Sequence, residues 1–161
     1  TLAITIGDDM FTAANGNSRV EANKATVKLM LERLSEGDVA GFTDHLLTGY
    51  VRHSQAMPEE HQELHGREAM KQYLLSNLTT FPDYREELES MVGDADFVAW
   101  RSRGTGTQLG TLGPFPATGN RMGSVIIGMH RFEGKMIAET WTSWDNLAAL
   151  TQLGLFPPSG S

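Results

Sequence analysis

The chain has 161 residues, 40% hydrophobic and 20% charged, which suits one soluble globular domain with a single core. Its formal net charge of −7, with no Lys/Arg run, argues against non-specific binding to nucleic acid or an anionic membrane. The absence of cysteine excludes disulfides, thiolate metal sites and cysteine nucleophiles, and no apolar run reaches the ~18 residues a membrane-spanning helix needs.

Residues 1–18 show no sustained period and close on Asn15-Gly16-Asn17-Ser18, so they read as an extended or disordered arm. Helical spacing then sets in: Val20, Ala25, Val27, Met30, Leu31 and Leu34 form an apolar stripe that Gly37 ends. A short helix over 39–47 follows, burying Phe42, Leu46 and Leu47, then a brief strand over 50–53 and a polar loop over 54–66. The next helix, over 67–78, carries Met70, Tyr73, Leu74 and Leu78 on one side and stops before Pro82.

From Tyr84 the period changes to two, giving strands over 84–92, 96–109, 122–133 and 135–144. Gly93-Asp94 and Gly134 mark hairpin reversals, and Gly110 to Gly119 is a long turn-rich connection. A last helix covers 146–153, and Pro157-Pro158 opens a tail over 157–161. Helices first and strands later predict an α+β domain over 19–156. A cone-shaped, curved antiparallel sheet packs on three N-terminal helices around a central cavity suited to a ligand. The chain reads as cytoplasmic, although one opening on Thr1 also suits a processed N-terminus.

Four segments carry a resemblance in order: HSQAMPEEHQELHGREAMKQYL (53–74), FPDYREELESMVGDADFVAWRSRGTGTQLG (81–110), PFPATGNR (114–121) and RFEGKMIAETWTSWDNLAALTQLG (131–154). Together they resemble the SnoaL-like polyketide cyclase (ester cyclase) branch of the nuclear-transport-factor-two-like superfamily. The resemblance implies the cone fold, a homodimer through the outer sheet face, and aldol closure of a ring without cofactor. The chemistry would remove a proton flanked by carbonyls and stabilise the enolate. The family's acid/base Asp lies on the last strand. Counting back from Gln152-Leu153-Gly154 puts Thr142 there, and counting forward from Lys135 puts Trp141 there; neither is a carboxylate. On the preceding strand the family often has polar groups where Gly128 and Ile126 stand.

The remaining polar residues are therefore weighed as replacements. His53 suits a base, imidazole being the side chain that exchanges protons near neutral pH, or is a structural hydrogen-bonding His beside Arg52, at a position pair where the family often has Asn-His. Asp145 is a replacement acid/base or the N-cap of the last helix. Arg101 suits an enolate oxygen if its face is concave, or an ion pair if it is convex; Trp100 takes the other face. His130 shares parity with Ile126 and Gly128 and either replaces the missing polar group or faces solvent. Glu139 shares a face with Trp141 and suits a cross-strand ion pair. Thr140, Thr142 and Trp144 read as cavity wall, and Met57 as an adaptable apolar contact. His61 and His65 stand four apart, but with no third ligand they predict no metal site. The function expected is acid–base chemistry on a small apolar or aromatic carbonyl-rich molecule. The alternatives are a non-catalytic binding or assembly protein of the same fold, and hydrolase, dehydratase or accessory-hydroxylase chemistry in the same cavity.

Overall fold

The structure, a computed structural model, describes residues 8–156. Helix α1 (Asp8–Ser35) is followed by α2 (Val39–Thr43), strand β1 (Leu46–His53), a 3-10 turn (Glu59–His61), β2 (Glu63–His65) and α3 (Arg67–Thr80). Four long strands come next, β3 (Arg85–Gly93), β4 (Phe97–Thr107), β5 (Arg121–Glu133) and β6 (Met136–Trp144), and then α4 (Asn146–Gln152). The architecture is α+β, the cone type expected. No helix among the described residues is long and apolar enough to cross a membrane.

The six strands form one sheet in the order β2-β1-β6-β5-β4-β3. The meander β3 to β6 is antiparallel throughout, but β1 runs parallel to β6, so the sheet is mixed and the all-antiparallel expectation is corrected. A parallel neighbour requires a long crossover. Here everything between β1 and β6 supplies it. Register shifts at Leu88/Ser90 and at Arg131/Phe132 insert an extra residue into one strand of each pair. Such bulges increase local twist and bend, which a conical sheet needs.

Helix α1 starts inside the segment read as an arm, so residues 8–18 are helical; residues 1–7 and 157–161 lie outside the described residues. Its core face is Val27, Met30, Leu31 and Leu34, with Asn23 buried where Ala25 was expected, its amide donating to Ala95 O at 3.1 Å. Helix α2 is shorter than predicted. Asp38 caps it, and Leu46 leaves it to pair in β1 with Ile137, both fully buried. The loop expected over 54–66 contains β2, because Glu63, Leu64 and His65 pair with β1 as an edge strand.

The connection from β4 to β5 is held by one buried amide. Gln108 Nε2 donates to Pro116 O at 3.1 Å and to Gly110 O at 3.3 Å, while its Oε1 accepts from Thr118 Oγ1 at 2.7 Å. Asn120 Nδ2 donates to Leu153 O at 3.0 Å and fastens the same connection to the end of α4.

Candidate functional site

The concave face of the sheet and the helices enclose a cavity of about 610 Å³, within the roughly 300–1,000 Å³ usual for a small-molecule site. Strand alternation decides which residues reach it. On β4 the inward set is Val98, Trp100, Ser102 and Gly104; on β5 it includes Ser124, Ile126, Gly128 and His130; on β6 it is Thr140, Thr142 and Trp144. Helices α1 to α3 contribute Leu34, Phe42, Met70 and Leu74, and Leu112 and Phe115 of the β4–β5 connection close one side. The wall is mostly apolar, so its few polar groups stand out.

The first polar group is Glu86 on β3, the one carboxyl lining the cavity among the described residues. Its Oε1 accepts from Ser102 Oγ at 2.6 Å and its Oε2 from Tyr84 OH at 2.9 Å. Burial pushes its pKa above the ordinary carboxylate range, although both hydroxyls and the nearby Trp100 indole N–H favour the charged form. That N–H is itself buried without a partner in hydrogen-bond geometry. Burial also pushes Tyr84 well above its usual value, with the adjacent Glu86 charge adding to it.

The second group is His130, buried, its Nδ1 at 2.7 Å from Thr140 Oγ1 and its ring stacked on Trp100 at 4.1 Å between centroids. Burial lowers its pKa to about 3, so at neutral pH it is an uncharged imidazole. Tyr50, fully buried beside Thr140, is pushed up to about 12 by burial, and Thr140 and Arg52 pull the other way. The third group is Arg52 on β1, 3% exposed, its guanidinium carbon 4.6 Å from the ring centroid of Tyr73 and 5.8 Å from that of Trp144.

The profile of SnoaL-like polyketide cyclases matches residues 24–153. The chain belongs to the SnoaL-like polyketide cyclase family. Among solved structures it is similar to AclR, a candidate hydroxylase from Streptomyces galilaeus, at 25% identity and TM-score 0.75, over 86% of this chain and 99% of that one. It is similar to IdmH, a candidate polyketide cyclase from Streptomyces antibioticus, at 26% identity and TM-score 0.70, over 82% and 98%. A likeness to TsrD from Streptomyces laurentii, at 24% identity and TM-score 0.73 over 84% and 97%, supports the fold alone. No curated protein matches the chain.

The last strand holds both positions that the resemblance offers for the family's Asp, Thr142 and Trp141. Thr142 lines the cavity directly opposite Gly128 on β5, while Trp141 points to the convex face, so Thr142 occupies the inward position and β6 gives the cavity no carboxylate. Several residues weighed from the sequence do gather here: Arg52, Met57, Trp100, Ile126, His130, Thr140, Thr142 and Trp144 all line the cavity. His130 was weighed against a solvent-facing role and instead points inward.

Three candidates take the structural one of the two roles weighed for them, and a fourth position, Gly128, offers no contact. His53 is on the convex face, since Arg52 beside it points inward. Its Nε2 lies 2.8 Å from Glu139, its Nδ1 lies 3.3 Å from Glu63, and its ring stacks on Trp141 at 5.4 Å. That hydrogen bond from His53, helped by Arg131, holds the Glu139 carboxyl below its usual range, so Glu139 is the cross-strand partner expected of it. Arg101 is also convex. It pairs with Glu89, the extra residue at the β3 bulge, which Arg103 Nε meets at 3.2 Å. Asp145 is exposed and caps α4, its Oδ1 accepting from Ala148 N at 2.9 Å. Gly128 contributes no ligand-facing group, because a Cβ there would meet Trp100 Cη2 at 2.3 Å.

The sequence reading missed Glu86. It lies in the charged run Arg85-Glu86-Glu87, which reads as a solvated edge. The usable signal was parity: Glu86 alternates with Tyr84 and Leu88 on the apolar side, and its charged neighbours do not.

Proposed function

We propose that the protein catalyses proton transfer on a small, flat, carbonyl-rich aromatic or apolar molecule held in the cone, with Glu86 as the acid–base group. The observation that supports this is a lone cavity carboxyl held by two hydroxyls and raised in pKa by burial. A general base works best when its pKa approaches the working pH. His130, lowered to about 3, is a feeble base, so its part is that of a neutral hydrogen-bonding group fixed by Thr140. Glu86 takes a proton from a carbon flanked by carbonyls. The electron pair moves onto a carbonyl oxygen as an enolate, the enolate carbon attacks a second carbonyl of the same molecule, and Glu86 returns the proton to the new alkoxide.

The test is exchange of the acidic C–H of a naphthyl 1,3-diketone with deuterium oxide, followed by NMR. Wild type is expected to accelerate exchange and Glu86→Gln to lose about 10²–10⁴-fold of that acceleration. No acceleration by wild type, or full activity in the variant, overturns the assignment. Thr142 at the family's carboxylate position supports the alternative of a binding protein without chemistry. That reading predicts binding of the diketone with no exchange above background.

A further inference from the structure

We propose that Arg52 anchors a delocalised oxyanion, two oxygens sharing one negative charge, at one end of an otherwise apolar ligand. This deepens the proposed function and rests on its cavity being the ligand site. The argument begins with alternation on β1. Arg52 and His53 are adjacent basic residues, and the strand sends them to opposite faces. The carboxylates of this sheet edge, Glu63 and Glu139, are both on the His53 side, at 3.3 and 2.8 Å. Arg52 is left inside with no ion pair and no hydrogen bond to a side chain among the described residues, although its side chain is almost fully removed from solvent. Its opposite number in the cavity, Glu86, is on β3, four strands away in the sheet order, and its carboxyl is already met by Ser102 and Tyr84.

A buried guanidinium with no counter-charge is costly, and native proteins avoid it unless the charge is used. The rings of Tyr73 and Trp144 near the guanidinium offset part of that cost through their π faces. Ring faces do not engage the N–H donors, since those donors lie in the guanidinium plane; they open onto the cavity, for the fully buried side-chain polar atoms without a partner among the described residues are Ser54 Oγ and Trp100 Nε1. A planar pair of oxygens matches that fork, which an ammonium or an amide cannot reproduce. The other titratable cavity groups do not supply the missing charge: Tyr50, Tyr84 and His130 are neutral at pH 7, Tyr73 meets Arg52 with its ring face, and His61 lies at the exposed rim. A negative charge on the ligand therefore supplies the local counter-charge beside Arg52 that Glu86, held on β3 by Ser102 and Tyr84, does not. Two kinds of molecule provide it, an aryl carboxylate and the enolate of a 1,3-dicarbonyl.

The experiment compares three probes of similar size by calorimetry: 2-naphthoate, its methyl ester, and a 2-acylindane-1,3-dione that is ionised at neutral pH. Wild type is expected to bind at least one anion ten-fold or more tighter than the ester, and the tighter anion tells which source fits. Arg52→Gln is expected to erase the preference and Arg52→Lys to keep only part of it. The wild-type comparison stands without the variants if either folds poorly. Equal or tighter binding of the ester, a preference that survives Arg52→Gln, or no binding of any probe overturns the inference. Diketone exchange that depends on Glu86, without anion preference, would remove this inference and leave the proton-transfer reading in place; anion preference without exchange would do the reverse.

Discussion

The indole of Trp100 rests on the imidazole of His130, ring centroids 4.1 Å apart, in space that exists because residue 128 has no side chain. Cross-strand pairing sets Trp100 directly opposite Gly128, and His130 is the next inward residue along β5. This stack forms part of the cavity wall, and Thr140 holds its imidazole.

Gly128→Ala is therefore expected to push the indole off its seat. The backbone at Gly128 is ordinary for any residue, so the effect is one of crowding. Overpacking of this kind typically costs about 1–3 kcal/mol. Chemical denaturation measures the loss, and near-UV circular dichroism reports the altered Trp100 environment. An unchanged spectrum and stability would show that the stack is not fixed by the glycine.

His130 gives stability a pH dependence of definite sign. It stays uncharged in the fold down to about pH 3, whereas in the unfolded chain it protonates near 6.5. Between those values the unfolded state binds more protons, so stability is complete above pH 6.5. It is lost by about 1.4 kcal/mol per pH unit as pH falls. Carboxylates add slopes of their own, so the informative quantity is the difference from His130→Gln. The wild-type advantage over that variant should shrink steadily from pH 6 to pH 4 in urea titrations; parallel curves would contradict the buried, neutral assignment.

Asp145 separates two roles by two substitutions. As an N-cap it accepts one backbone N–H, which asparagine does equally well. Asp145→Asn is expected to match wild type in stability and exchange activity, and Asp145→Ala to lose about 1 kcal/mol. Abolished exchange in Asp145→Asn, at unchanged stability, would return Asp145 to the chemistry.

Much of the cone was legible because each strand announces itself by period two, and the turns at Gly93-Asp94 and Gly134 fall between hydrophobic runs. The parallel pairing of β1 with β6 was not, since a short strand carries no mark of which distant edge it will join. In the site, alternation told that Trp100 and Arg101 part company but not which one faces inward. That choice depends on which face the helices cover, a tertiary fact. His53 misled for the same reason: its neighbour Arg52, a less usual cavity residue, took the concave side. Glu86 was hidden by its company, for Arg85 and Glu87 made an inward carboxylate look like one more solvated charge.

Because β6 is the seam between β1 and β5, Arg52 and Trp144 meet only when the last long strand is in place. During synthesis the guanidinium must wait for nearly the whole domain to emerge, and loop closure of that length is slow. A chain ending at residue 135 would contain Glu86 with Tyr84 and Ser102 but lack Trp144, so the surroundings of Glu86 are synthesised before those of Arg52 are complete.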